Sequence, residues 1–229
     1  MYMSRVSIAM IALLLGMAAA PTAWAKKNLP PVNDEGMELV KDSELATVYA
    51  DPGADLSIYN QVMLLDASVA FKKNWQRDQN RGASRLRVKD RDMIKIQEEV
   101  ATLFREVFTQ ELVDGGYTMT DEAGEDVLLV KPAIVDLDVW APDIQSSSRT
   151  YSYSESAGEM TLNLELFDSV TEDKIAKATD RQKDPMRGYH QWRTSVSNRA
   201  DARRMMTKWA KALRSALDEA RSATSPKAD

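Results

Sequence analysis

Met160-Thr-Leu-Asn-Leu-Glu-Leu-Phe167 alternates apolar and polar residues from Met160 to Leu166 without a break. Successive side chains of a strand point to opposite faces, so Met160, Leu162, Leu164 and Leu166 share one face, and Thr161, Asn163 and Glu165 share the other. A strand with one apolar and one wet face belongs to a sheet covered on a single side. Upstream, Tyr151 and Tyr153 alternate with small polar residues over Thr150 to Ser156. That stretch is expected to form a half-buried hairpin with the Leu strand through Gly158. Asp168 to Asp173 reads as a turn, and Lys174 to Thr179 as a third strand of the meander.

Two helices supply the cover. In Arg91 to Asp114, Val100, Leu103, Phe104, Val107, Phe108 and Leu112 recur at steps of three and four, which places them on one helical face. Asp90 or Asp92 suits its start, and Gly115-Gly116 suits a left-handed stop. In Asn198 to Arg221, Met205, Met206, Trp209, Leu213 and Leu217 form the second apolar face, with Asn198 as the expected cap and Asp201 near the positive first turn. Gln61 to Phe71 (QVMLLDASVAF) is dense in apolar and β-branched residues and reads as the first core strand. Asp126 to Trp140 reads as another, with a bulge or an edge expected at Pro132, which has no amide donor for a ladder. The fold class is α+β: an antiparallel or mixed sheet with two long amphipathic helices packed on one face.

This gives one domain over 55–222, preceded by an extended, partly disordered arm over 26–54 and followed by a disordered tail over 223–229. The arm is rich in Pro, Asp, Glu and Gly, with breaks at Pro30-Pro31 and Asp51-Pro52-Gly53. Lys72 to Lys89 shows no periodicity and reads as a long loop.

Residues 1–25 have the layout of a secretory signal. Arg5 precedes the uncharged run Val6 to Ala20, Pro21 ends it, and Ala23-Trp24-Ala25 offers small residues to a signal peptidase. The run is shorter than the ~20 residues a spanning helix needs. The chain has no cysteine, which excludes disulfides, thiolate metal sites, cysteine nucleophiles and the acylated cysteine of a lipoprotein. The expected product is a periplasmic protein with neither transmembrane segment nor lipid anchor.

The net charge of −5 argues against a nucleic-acid partner. The charge is unevenly spread. Lys72, Lys73, Arg77, Arg81, Arg85, Arg87, Lys89 and Arg91 face only Asp78 and Asp90 in their segment, while acidic residues prevail between Glu106 and Asp173. Basic blocks of this kind are either solvated faces or contacts for anionic partners.

Ala54-Asp55-Leu56, Tyr59, Val62-Met63-Leu64, Val69 and the Leu103 to Tyr117 helix end form one set of characteristic residues. Asp126-Val127-Leu128, Pro132-Ala133-Ile134, Leu137, Leu164 to Thr171, and Trp209-Ala210 with Leu213 and Leu217 form another. Together they resemble an uncharacterised family of Gram-negative envelope proteins, domain of unknown function 3313, many of whose members are lipoproteins. The resemblance runs from Asp55 to about Ala220 and implies an envelope location without an activity. This chain lacks the lipoprotein cysteine. It also carries Glu172-Asp173 where relatives usually place a glycine-containing turn.

Catalytic signals are sparse. His190 is the only histidine, no Gly-x-Ser-x-Gly elbow accompanies the serines, and a zinc site would have to be built from His190 and carboxylates alone. No cofactor and no metal site are expected. Asp136 and Asp138, two apart on a strand, share a face and are candidate acids for a hydrolase or a hard cation. The simpler reading points them at water, with Val135, Leu137 and Val139 turned to the core. Aromatics among basic residues form the most suggestive group: Trp75, Arg77 and Arg81 in one segment, Tyr189, His190, Trp192 and Arg193 in the other. Such rings anchor partners at low entropic cost, and the two segments are expected to lie together as a binding surface; the alternative is that Trp192 closes the core beneath a loop. The function expected is non-enzymatic presentation of that surface to an envelope protein or peptidoglycan. A cofactor-free hydrolase acting on an envelope polymer through acidic residues, and a self-associating assembly or stress subunit, are the alternatives. The sequence leaves the oligomeric state open.

Export predicts cleavage after Ala25. Mass spectrometry of the periplasmic fraction should find a chain beginning at Lys26, and a product retaining residues 1–25 would contradict the reading.

Overall fold

The computed structural model describes residues 29–81, 87–139, 152–154, 158–183, 191–193 and 195–224; the side chains of 152–154, 191–193, 195–197 and 224 are not described. Strands β1 (Glu38–Leu39) and β2 (Thr47–Ala50) come first, followed by a 3-10 turn at Leu56–Ile58, β3 (Gln61–Leu64) and β4 (Ser68–Phe71). A short helix, α1 (Trp75–Gln79), and a long one, α2 (Asp90–Asp114), lead to β5 (Thr118–Met119) and β6 (Val127–Val139). Then come β7 (Ser152–Ser154), β8 (Gly158–Asp168), β9 (Lys174–Lys183), β10 (Gln191–Arg193) and helix α3 (Ser195–Thr224). Eight strands form one sheet in the order β1-β2-β9-β8-β6-β3-β5, with β4 also paired to β6. Pairing is parallel among β3, β4, β5 and β6 and antiparallel from β6 through β8, β9 and β2 to β1. The sheet is therefore mixed, and the fold is α+β.

The alternation on β8 reads out as expected. Met160, Leu162, Leu164 and Leu166 are buried in one core with Leu128, Val130 and Ile134 of β6, and with Ala176 and Ala178 of β9. Phe104 and Phe108 of α2 enter that core stacked, ring centroids 4.0 Å apart. Trp209 of α3 enters beside them. α2 ends in a Schellman turn: Gly116 takes φ +82, its amide reaches the Val113 carbonyl, and the Tyr117 amide reaches that of Leu112. At the other end the Asp92 carboxylate accepts the Lys89 amide at 2.8 Å.

The core face of the sheet carries a buried carboxylate. Asp180 of β9 lies on the core face, and its Oδ2 accepts the indole N–H of fully buried Trp209 at 2.8 Å. The same carboxylate accepts the Ala46 amide at 3.0 Å and the Gln182 side-chain amide at 2.7 Å. A carboxylate without such donors would be costly to bury.

Several expectations are corrected. The arm over 26–54 supplies β1 and β2, and β2 pairs with β9. Tyr49 and Met37 are buried there, and the Tyr49 hydroxyl donates to the Pro30 carbonyl. The alternating run at 47–50 gives the edge of the sheet a partner despite its polar flanks. The stretch Gln61 to Phe71 is two strands, because Leu65 to Ala67 leave the ladder between β3 and β4. Pro132 lies neither at an edge nor at a bulge. It falls within central β6, beside the gap left where β3 pairs as far as Val130 and β4 starts at Ala133, so no ladder donor is missed on that side. β7 pairs with β10 and not with β8; the hairpin is β8–β9. α3 starts at Ser195, so Asn198 lies inside it, and the helix runs on to Thr224 in place of a tail beginning at 223.

The β8–β9 turn has a backbone suited to glycine. Glu172 takes φ +60 there, a conformation costing an L-residue about 1–2 kcal/mol. Glu172→Gly should accordingly stabilise the domain by about 0.5–1 kcal/mol, the gain being reduced by glycine's unfolded-state entropy. Phe104→Ala and Trp209→Ala should each cost ~3–5 kcal/mol in urea unfolding. Trp209→Phe keeps a ring but removes one donor from Asp180, and should cost ~1–3 kcal/mol.

Candidate interaction surface

The segment expected to be a loop from Lys72 to Lys89 contains α1. Trp75 opens the helix and is 3% exposed. Its ring stacks on Phe71 at 4.3 Å, and its indole N–H donates to the Val139 carbonyl at 3.1 Å, which Gln79 also caps at 3.1 Å. Trp75, nominated as an exposed anchor, is thus a plug that closes the end of the sheet. Its indole donor occupies the carbonyl at the end of β6. The periodicity of a single helical turn is too short to show in sequence.

α1 is strapped to the start of α2. The Asn80 side chain accepts the Val88 amide at 2.8 Å and donates to the Val88 carbonyl at 3.0 Å, copying a strand pairing. Gln76 donates to Asp90 at 2.7 Å, and Arg87 donates to the Asn80 carbonyl. With its indole turned inward, the helix presents its cations outward. Arg77 and Arg81 have side chains 56% and 70% exposed, and both contact Asp78, at 3.3 and 3.7 Å. Exposed ion pairs are worth little, so these guanidiniums can exchange Asp78 for an external anion at small cost.

Of the second nominated segment, Tyr189 and His190 lie outside the described residues. Trp192 and Arg193 lie on β10, in register with Tyr153 and Ser152 of β7. Their side chains are not described, so the expected meeting of the two segments also lies outside the described residues.

The candidate acids are separated by a bulge. Val135 pairs with Thr161 and Asp138 with Glu159, so Asp136 and Leu137 together oppose Met160. Asp136 takes φ +51 and points to solvent, while Leu137 turns into the core. Gly158 locks this arrangement, since a Cβ on it would lie 1.9 Å from the Asp138 carbonyl oxygen. Asp138 itself is bound by the Lys72 ammonium at 2.9 Å. That hydrogen bond is the main reason the Lys72 pKa is raised. Next to it, Glu159 meets Arg181 at 2.5 Å and Lys72 at 3.8 Å. Two carboxylates and two cations neutralise one another across β6, β8 and β9, a grouping the sequence spacing does not reveal. Among the described residues no cluster of three or more His, Cys, Asp or Glu side chains suits a metal ion.

At the opposite end, two tyrosines act as latches. The Tyr59 hydroxyl donates to Asp168 at 2.9 Å, and that of Tyr117 to Asp218 at 3.0 Å. Burial, followed by the adjoining carboxylates, raises the Tyr59 pKa; burial and Asp218 push Tyr117 up to about 12. Asp168 is held below the usual carboxylate range, first by the Thr171 and Val170 amides. Arg221 lies over the Tyr117 ring at 3.9 Å, fixing the end of α3. Both phenols stay protonated and hold structure.

No curated protein matches this sequence. Among solved structures, the PelC dodecamer from Paraburkholderia phytofirmans shares 10% identity, covering 73% of this chain and 96% of that chain, with a TM-score of 0.36. A minor lipoprotein from Acinetobacter baumannii shares 9% identity over 72% and 96%, with a TM-score of 0.35. A protein from Xanthomonas campestris shares 13% over 73% and 92%, with a TM-score of 0.36. Likenesses this remote do not bear on partner, assembly or activity. The family model is another matter: it matches residues 32–213, most of the chain, and the protein belongs to the family described as protein of unknown function (DUF3313).

Proposed function

We propose that this is a non-enzymatic protein of the Gram-negative periplasm that presents the outer side of α1 to another envelope component, a protein or peptidoglycan. The signal layout of residues 1–25 and the family resemblance support the location. No helix among the described residues is long and apolar enough to cross a membrane. The observation that carries the reading is that Arg77 and Arg81 stand exposed on a helix fastened from three sides, by Trp75 to Val139, by Asn80 to Val88 and by Gln76 to Asp90. Cations held on a rigid support lose little freedom on binding. The hydrolase alternative is weakened because Asp138 is neutralised by Lys72 and Asp136 is turned away from it by the bulge.

Crosslinking in intact envelopes, with the exported chain as bait, tests the proposal. Capture should be salt-sensitive. Arg77→Glu with Arg81→Glu should slow capture several-fold and flatten its salt dependence at unchanged melting temperature. Trp75→Ala should instead lower stability, by ~3–5 kcal/mol. Equal capture by the wild type and the double arginine variant would remove α1 from the surface.

A further inference from the structure

Among the described residues, exposed charge is sorted by sign along the length of α2. The starts of β3 and β6, the β8–β9 turn and the ends of α2 and α3 meet at one end. The Asn60 amide bonds the Asp126 carbonyl, Thr118 bonds Asn60, Tyr59 bonds Asp168, and Arg221 bonds the Tyr59 carbonyl. Asp55, Asp114, Asp121, Glu122, Glu125 and Glu172 are all exposed at this end. The ends of β4 and β6, helix α1 and the start of α2 meet at the other. There Lys73, Arg77, Arg81, Arg87, Lys89 and Arg91 are exposed and outnumber the exposed acids Asp78, Asp90 and Asp136. α2 has 25 residues, which separates the two ends by roughly 37 Å.

The helices reinforce the polarity. Glu106 meets Arg199 and Arg203, Glu111 meets Arg214, and Tyr117 meets Asp218, so α2 and α3 run parallel. Both positive dipole ends therefore lie at the basic end and both negative ends at the acidic one. Exposed apolar groups accompany the charges at both ends: Ile58, Val113 and Val170 are 48%, 49% and 56% exposed at the acidic end, and Ile94 is 54% exposed near the start of α2.

We propose that copies of this chain associate head to tail, the basic α1–α2 end of one seated on the acidic end of the next. The molecule carries both halves of the charge match, and neither half fits itself. Such a heterologous contact continues into a ring or a filament. The two poles are further apart than the ~8 Å Debye length at physiological salt, so each meets its complement without cancellation by the other. This inference draws on the same α1 cations as the envelope partner proposed above, so the two compete for one surface; association is read on the purified chain and capture in the envelope, so either can fail alone.

Sedimentation velocity of the exported chain tests it. Association should weaken at least ~10-fold as ionic strength rises from about 0.01 M to about 0.15 M and the Debye length shrinks from ~30 Å to ~8 Å. Two triple variants give the sharper test, each checked for an unchanged melting curve: Lys73→Glu, Arg77→Glu, Arg81→Glu at one end and Asp121→Lys, Glu122→Lys, Glu125→Lys at the other. Each alone should stay monomeric, and an equimolar mixture should recover association, because the acidic end left intact on the first variant can still seat the basic end left intact on the second. A mixture that stays monomeric overturns the proposal. So does a wild type that is monomeric at every salt concentration, including one that instead binds vesicles of anionic phospholipid through its basic end. If a variant fails to fold, the salt dependence of the wild type decides.

Discussion

Burying a carboxylate is the constraint around which this domain is arranged. Asp180 is placed on the core face by the two-residue period of β9, where an apolar side chain would be the default. Its negative charge needs donors from different parts of the chain. They come from the indole of Trp209, the Ala46 amide and the Gln182 amide. One group therefore ties α3, the entry to β2 and β9 together. Ala176 and Ala178, neighbours of Asp180 on the same face, leave space for a ring as large as tryptophan. Loss of the ring would remove packing and strand the charge at once, so the two effects are coupled.

The face of the sheet away from the helices obeys the opposite rule. Glu165 bridges Lys131 and Lys174, Glu35 bridges Lys174 and Lys177, and Thr179 donates to Asn163. These pairs are partly exposed and contribute little each. Their role is in register: a one-residue slip of β9 would bring Asp180 to this wet face and Lys177 or Thr179 to the core. The same face ends in the Lys72, Asp138, Glu159 and Arg181 group, where the bulge at Asp136 turns the phase of β6. Gly158 is required there because the neighbouring backbone comes within the reach of a Cβ.

Long periodic elements were legible in the sequence because their signal accumulates over many residues. α2, α3 and β8 show one-sided apolar repeats, and Gly115-Gly116 announces the stop of α2. Elements of four or five residues carry no such sum. From sequence, β2 and α1 read as arm and loop, since each is recognisable only by what it packs on: β9 for Tyr49, Phe71 and the Val139 carbonyl for Trp75. Pro132 misled for a related reason. A missing donor forbids a ladder bond only where a partner strand is present, and the β3–β4 gap leaves none at that point. The candidate site residues divide in the same way. The charge of Arg77 and Arg81 implies exposure and both are exposed, whereas the fate of a tryptophan depends on a cavity that local sequence does not encode.

The distribution of charge then separates two ways for such a domain to work. A catalytic cleft brings like charges or unpaired acids together, at a cost met by binding or chemistry. Here, among the described residues, the buried carboxylates Asp180, Glu159 and Asp201 and the half-buried Asp138 each have a donor or cation partner. The exposed charge is sorted by sign to the two ends of parallel helices, Arg77 and Arg81 sharing Asp78 at the basic one. Parallel α2 and α3 follow from the topology, since each begins beyond the same end of the sheet and returns along it. Antiparallel neighbours would cancel their dipoles; parallel ones add them. A fold that settles its interior charges and sorts its exposed charge by sign presents one cationic and one anionic end.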